Sequence, residues 1–258
     1  MDLTGNTILI TGGSSGIGFE FTKQLLDLNN TVVITGRDQK KLDKVKALLP
    51  KVNILRSDVS QVAEIKSLYD LATKNFPALN ILINNAGIMK TVNFHNNIPL
   101  EDLTQELDIN LAGPIRMVKQ FLSHLKAKKN SAIVNITSGL AFVPLPTSPI
   151  YCATKAALHS LSLSLRVQLK NSNTKVFEVA PPATQTEILA GFDPEDMKGI
   201  SIMKVDEMVR LSLKGIESDV YEIRPGQSNQ LKLMSRLAPA FILKQMSKSV
   251  DRMLAKNN

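Results

Sequence analysis

Short apolar runs rich in valine and isoleucine alternate along this chain with longer segments whose apolar residues recur at helical spacing. The runs are 7–11, 31–35, 52–56, 80–84, 132–137, 175–180 and 221–223. Between them lie helical patterns at 17–28, 38–49, 61–75, 100–128, 151–170 and 204–218. This alternation predicts βαβ units, whose right-handed crossovers build a doubly wound parallel sheet of about seven strands with helices on both faces. Near-continuous apolar strands such as IVNIT fit burial on both sides. With no internal repeat, low-complexity tract or interior linker, residues 1–258 read as a single α/β domain.

In such a sheet, ligands bind beyond the carboxyl ends of the strands, near the switch in strand order. The polar and glycine residues just after the runs therefore carry the chemistry: 12–18, 36–37, Asp58, 84–87, 138–139 and 181–186. The first run ends in Thr11-Gly12-Gly13-Ser14-Ser15-Gly16-Ile17-Gly18 and passes into a helix. Small residues let backbone approach a pyrophosphate, and a helix N-terminus offers free N–H groups and positive potential. Gly18 is expected to let the helix pack close to the sheet. The competing reading is a glycine-rich turn without a ligand.

The spacing Gly12-x-x-x-Gly16-x-Gly18 resembles the signature of the short-chain dehydrogenase/reductase family. Further matches are Asn84-Asn85-Ala86-Gly87, Asn110 in Asp108-Ile109-Asn110-Leu111, Ser138, and Tyr151-Cys152-Ala153-Thr154-Lys155. They occur in the family's order over about residues 3–223, and the stretches SGLAFVPL, YCATKAALHS and IRPG look closest to its bacterial DltE-like subgroup. The resemblance implies a Rossmann fold and an oxidoreductase that moves hydride between a nicotinamide dinucleotide and a carbonyl or alcohol. The rival is a regulatory protein that binds dinucleotide without catalysis, because a fold can keep a cofactor site and lose its chemistry.

Cofactor choice has a physical argument. Enzymes that use NAD place an acid at the end of the second strand, for the ribose 2′-hydroxyl. Here that position is Gly36, followed by Arg37, whose guanidinium can pair with a 2′-phosphate in forked geometry. NADP(H) is therefore expected over NAD, unless the adjacent Asp38 engages Arg37 instead. By resemblance, Asp58 meets the adenine amino group and Val59 lines its pocket, although Asp58 or Ser60 also suits a helix cap. Asn85 is implied as a strand-end structural residue, with Ala86 and Gly87 passing close to the cofactor.

Tyr151 and Lys155, four apart at a helix start, share a face about one turn apart. Reducing a carbonyl requires a proton as the oxyanion develops, and a free phenol with a pKa of about 10 is too weak an acid to cycle near neutrality. Lys155 and an oxidised nicotinamide are expected to lower that value, letting Tyr151 act as general acid or base. Ser138 is expected to donate a hydrogen bond to the substrate oxygen. The resemblance adds Lys155 on the nicotinamide ribose and Asn110 holding a relay water. A helix-interior asparagine relieving backbone strain is the other reading of Asn110.

After the sixth run stands Pro181-Pro182, so a backbone donor near the nicotinamide is missing, and Thr186 becomes the candidate carboxamide contact beside Pro181. Residues 187–203, with Gly191, Pro194 and Gly199, read as a mobile lid or as a surface loop with one short helix. Leu140, Phe142, Val143, Leu145, Met89, Pro182 and Ile188 suggest an apolar substrate pocket. His95, His124 and His159 are too scattered for a metal site and read as solvated positions, so no metal is expected.

Charge enters last. The net +8 is concentrated at 230–258, which holds six basic residues against Asp251, and the rest is too balanced for a nucleic-acid surface. From 237 onward the apolar residues Phe241, Ile242, Met246, Val250, Met253 and Leu254 form one helical stripe, a basic amphipathic tail. It is expected to dock on its own domain, join a partner subunit or touch anionic lipid. No secretory signal, transmembrane run or cysteine pair is apparent, which makes the cytoplasm the expected compartment. A homodimer or homotetramer is expected by analogy with the family.

Overall fold

Valine, isoleucine and leucine fill the strands because each strand is covered on both sides, and their alternation sorts them into two cores. A computed structural model describes residues 1–190, 192, 195 and 200–255. Its strands are β1 (Thr7–Thr11), β2 (Thr31–Gly36), β3 (Asn53–Arg56), β4 (Leu79–Asn84), β5 (Ser131–Ile136), β6 (Thr174–Val179) and β7 (Glu222–Ile223). All pair in parallel, in the order β3-β2-β1-β4-β5-β6-β7.

The helices are α1 (Gly16–Asp27), α2 (Gln39–Leu48), α3 (Val62–Asn75), α4 (Leu100–Leu107), α5 (Gly113–Lys126), α6 (Pro149–Gln168), α7 (Glu187–Ala190), α8 (Val205–Glu217), α9 (Ser228–Leu237), α10 (Pro239–Met246) and α11 (Val250–Ala255). Ile8, Ile10 and Ile34 turn to one face, where Phe21 and Leu25 of α1, Leu42 of α2 and Met208 of α8 pack on them. Leu9, Val33 and Ile133 turn to the other, against Leu68 of α3, Phe121 of α5 and Leu165 of α6. Burying each such side chain contributes about 1.5–3 kcal/mol. The strand order reverses between β1 and β4, so the crevice at their carboxyl ends is where this architecture places a ligand.

Two expected helices are broken. The pattern over 100–128 becomes α4, a π-turn at Asp108–Ala112 and α5. Pro114 has no N–H for the carbonyl of Asn110 four residues back, and the helix widens there. The tail likewise becomes α9, α10 and α11: Pro239 opens α10 after the shared cap Ala238, and a turn at 247–249 parts α10 from α11 within the stripe. Phe241 and Leu254 consequently face solvent, whereas a single stripe had placed them with Met246.

Around the expected lid, Thr184 bridges Met203 in parallel, and Thr186 leads into the short α7. Residues 191, 193–194 and 196–199, with Gly191, Pro194 and Gly199 of the lid reading, lie outside the described residues. Among the described residues no helix is long and apolar enough to cross a membrane.

Candidate active site

A cavity of about 720 Å³ opens at the carboxyl ends of β1, β2, β4, β5 and β6. Beyond β1, in the middle of the strand ends it spans, it is lined by the β1–α1 turn through Gly12, Ser14, Ser15, Gly16 and Ile17. Ser15, the cap of α1, makes no side-chain cap bond, so the first-turn N–H groups of the helix stay available to a ligand. A Cβ on Gly16, at φ +53°, would meet nothing nearer than Thr186 at 3.4 Å. The Thr35 hydroxyl is buried on the same wall without a partner. These features fit a phosphate-bearing, polar ligand.

Thr11 and Gly18 do not reach the wall. The Thr11 hydroxyl accepts the N–H groups of Asn85 (3.0 Å) and Ala86 (3.1 Å), joining β1 to the turn after β4. Asn85 answers through its side-chain amide, which donates to the carbonyls of Thr11 and Gly12 at 3.0 Å each. A Cβ on Gly18 would sit 2.3 Å from the Gly12 carbonyl oxygen and 2.4 Å from Asn85 Nδ2. Thr11 and Gly18 shape the cradle from behind its wall, and the close contact at Gly18 matches the tight helix–sheet packing expected of it.

On one flank of that turn, beyond β2 and β3, the wall includes Arg37, Asp58 and Val59. Asp38 does not engage Arg37; its carboxylate caps α2 by accepting from Lys41 N at 3.1 Å. Gly36 lines the cavity beside Ser14, and a Cβ there would make ordinary contact with Ser14 Oγ at 3.5 Å and Leu42 Cδ2 at 3.6 Å. Asp58 accepts from Ser60 N (2.9 Å) and Oγ (2.8 Å), while its own N–H donates to Glu64 Oε2 at 2.8 Å. Neither Asp58 nor Ser60 caps α3, since Gln61 takes that position. Lys41 and Glu187 of α7 form an ion pair at 3.4 Å, and both line the cavity.

On the other flank, beyond β4, β5 and β6, stand Ala86, Gly87, Ser138, Tyr151, Lys155, Pro181 and Thr186. Tyr151 lies in the first turn of α6, whose N-terminus is set by Pro149. The Lys155 ammonium is 5.5 Å from the centre of the Tyr151 ring and donates to the Ile136 carbonyl at 2.9 Å. Ser138 Oγ accepts from Leu140 N at 3.1 Å and hydrogen-bonds the Tyr151 phenol. Burial pushes the Tyr151 phenol up to about 12, against a smaller opposing pull from Ser138. Burial also pulls Lys155 down to about 8. In the protein alone the expected lowering of the tyrosine is reversed, because burial penalises the phenolate by more than the Ser138 hydroxyl favours it.

Asn110 sits on the π-turn with no exposed surface and does not line the cavity. Its Oδ1 accepts from Ile88 N at 2.9 Å, and its Nδ2 donates to Ile88 O (2.8 Å) and Thr154 Oγ1 (3.2 Å). The side chain expected to hold a relay water is already engaged in pinning the strand-end turn to the helix of Tyr151. Asn110 Oδ1 also lies 3.3 Å from where a Cβ on Gly87 would be, which keeps that position glycine.

On the substrate side, Met89, Leu140, Leu145, Pro182 and Ile188 line the wall, but Phe142 and Val143 do not. Phe142 packs edge-on against His159 and under the Lys232 ammonium. Leu189, Phe192, Ile200, Gln227, Leu231, Met246 and Ser249 complete the wall, and sequence reasoning missed all seven. They come from α7, α9, α10 and the turns beside them, which carry no motif. Pro239 was the signal that the tail folds back in pieces.

His159 is not solvated: its Nδ1 lies 2.8 Å from the fully buried Glu178, which also accepts from Thr137 Oγ1 at 2.7 Å. Nor is His124, whose ring Nε2 lies 3.0 Å from the Leu79 carbonyl oxygen. His159, Glu178 and Glu222 come close enough to share a cation, but Lys232 and Arg224 already hold Glu222.

Comparison with known proteins places these residues in context. The chain is 39% identical over 252 residues to an uncharacterised oxidoreductase, DltE, of Bacillus subtilis (strain 168), covering 96% of this chain and 98% of that one. The fold superposes with TM-score 0.83 on a short-chain dehydrogenase from Burkholderia cenocepacia J2315 in complex with NADP, at 23% identity over 95% of this chain and 99% of that one. It superposes with TM-score 0.80 on a short-chain dehydrogenase/reductase from Burkholderia phymatum in complex with NAD, at 22% identity over 95% and 96% of the two chains. The short chain dehydrogenase family model matches residues 6–196, so the turn, the tyrosine and the lysine all fall inside it, and the chain belongs to that family of oxidoreductases.

Proposed function

We propose that this chain is an NADP(H)-dependent oxidoreductase acting on a carbonyl/alcohol pair, with Tyr151 as its general acid and base. The observation that carries the reading is convergence. Tyr151, Lys155 and Ser138 stand on one cavity with the β1–α1 turn, although they are far apart in sequence. A bound nicotinamide dinucleotide supplies or accepts the hydride.

The chain's own groups handle the proton and the charge. Ser138 Oγ accepts from Leu140 N, which leaves its hydroxyl proton to donate. It and the phenol then hold a substrate oxygen between them. With its phenol up at about 12, Tyr151 stays protonated at neutral pH and is ready to donate as negative charge develops on that oxygen. Lys155 spends one N–H on Ile136 O, and the other two can meet ribose hydroxyls and the phenol. Its positive charge opposes the burial that holds the proton on Tyr151 when the reaction runs toward oxidation. Asn110 acts as a positioning residue through Ile88 and Thr154.

The NADP preference rests on Arg37, on Gly36 standing where an acid would hold the ribose 2′-hydroxyl and on the commitment of Asp38 to α2. A small, apolar carbonyl or alcohol suits a substrate wall of leucine, isoleucine, methionine and phenylalanine. Exposed Ile115 of α5 with Leu163 and Val167 of α6 offers apolar surface to a second copy.

The test measures NADPH and NADH consumption over a panel of aldehydes and ketones, for the wild type and Tyr151→Phe, with dinucleotide affinity followed by fluorescence. Tyr151→Phe should keep its affinity and lose about 10²- to 10⁴-fold in turnover. Equal turnover in both proteins overturns the mechanism. Dinucleotide binding with no turnover by the wild type on any carbonyl or alcohol supports the regulatory alternative.

A further inference from the structure

We infer that the corner between α9 and α10 is a docking surface for an anionic lipid membrane, set beside the substrate end of the cavity. Leu231 of α9 and Met246 of α10 line the cavity, while the same two helices turn large apolar side chains to solvent. Leu233 is 56% exposed, Leu237 72% and Phe241 55%, and Leu243 is exposed beside them. Leu233 and Leu237 lie one turn apart on α9, and exposed Phe241 and Leu243 follow on α10 across the Ala238-Pro239 corner. Exposed Arg236 and Lys244 interrupt the apolar positions.

The charge selects the occupant. Of the basic side chains in residues 230–258, Lys232 is held on Glu222, while Arg236, Lys244 and Lys248 are exposed. In a symmetric contact with a second copy, Arg236 and Lys244 would face the same patch of the partner, and residues 228–246 hold no acid to pair them. An anionic bilayer surface attracts those cations and accepts the apolar edge between its headgroups, with no shaped groove required. The attachment is peripheral, since among the described residues no helix can cross a bilayer. It places the apolar wall of the cavity next to the phase in which apolar carbonyl compounds concentrate.

The experiment is flotation of the full chain with vesicles of phosphatidylglycerol and phosphatidylcholine in equal parts, beside pure phosphatidylcholine vesicles. The wild type should float with the anionic vesicles only and be released as salt is raised. The double variant Leu237→Ser/Phe241→Ser and the variant Arg236→Glu/Lys244→Glu should each bind at least about tenfold more weakly. Both should keep wild-type dinucleotide affinity and melting temperature, which shows that they are folded. A wild type that stays in solution, or variants that float equally well, overturns the proposal. So does an apolar variant whose only change is dissociation of an oligomer in size-exclusion chromatography, an outcome that assigns the edge to a second copy. Each of these outcomes stands apart from carbonyl turnover, so the docking and the enzyme readings can fail separately.

Discussion

At the Gly12 turn the wall is largely backbone, held by the side chains of Thr11 and Asn85; at the Leu231 end it is side chains carried on helices that arrive from late in the chain. The first wall is tied by Thr11, Asn85 and the close contact at Gly18, all with hydrogen-bond or van der Waals partners within the sheet edge. The second is tied by the Thr184–Met203 bridge, by α9 lying on Gly139, and by Lys232 on Glu222. A wall of main-chain atoms presents the same face whatever the neighbouring side chains are, and so suits a cofactor of constant shape. A wall of side chains can be altered one residue at a time, and so suits a substrate that differs between relatives.

Lys155→Met, between the two walls, should show the largest effect. Turnover should fall by about 10²-fold or more, as expected when a proton-transfer group loses its charged neighbour. The same change should stabilise the ligand-free protein at pH 7. Burial lowers Lys155 to about 8 from its usual 10.5. The folded state therefore binds fewer protons than the unfolded one across that window, and wild-type stability rises as pH climbs through it. Below pH 8 the full cost remains, about 3 kcal/mol before the lost Ile136 bond is counted. Melting curves at pH 7 and pH 10 check this: the advantage of the variant should shrink at the higher pH. Tyr151 works in the opposite sense, since its proton is kept to about 12 when folded, and stability falls from pH 10 upward.

Gly18→Ala tests whether the first wall is as rigid as its contacts imply. A methyl group 2.3 Å from the Gly12 oxygen forces the turn off Asn85, so stability should fall by about 1–3 kcal/mol. Dinucleotide affinity should fall with it, although Gly18 touches no ligand-facing surface. A variant with wild-type melting temperature and affinity would show the turn to be pliant.

Arg37→Asp should separate the cofactors. NADPH affinity should drop about 10- to 100-fold, the worth of a charge-assisted contact, while NADH affinity holds or improves. Equal losses for both dinucleotides would remove Arg37 from the 2′-phosphate. The smallest effect belongs to the second wall. Leu231→Ala should raise KM for bulky apolar carbonyls by about tenfold and leave dinucleotide affinity alone. A matching loss of cofactor affinity would mean that the two ends are not independent.

Much of the first wall was legible because its residues are constrained by local conformation. Gly12 and Gly16 hold φ of +65° and +53°, which only glycine adopts freely, so their spacing is written in the chain. Tyr151 and Lys155 were legible because one helical turn relates them. Asn110 was recognised, but its job was not, since the partners of its amide, Ile88 and Thr154, come from two distant segments. His159 looked like a solvated helix position until β6 brought Glu178 beneath it. Phe142 and Val143 had the right composition for the pocket and the wrong orientation.

By itself the sequence determined the alternation of strands and helices, the parallel sheet, the glycine turn and the identity of the tyrosine, lysine and serine. Each of these follows from periodicity or from backbone geometry within a few residues. Only the tertiary structure decided that burial raises Tyr151 and lowers Lys155, that Thr11 and Gly18 work from behind the cradle, and that α9 and α10 close the substrate side. Those outcomes depend on how much water and how many distant partners surround a side chain, and neither is set until the two faces of the sheet are covered.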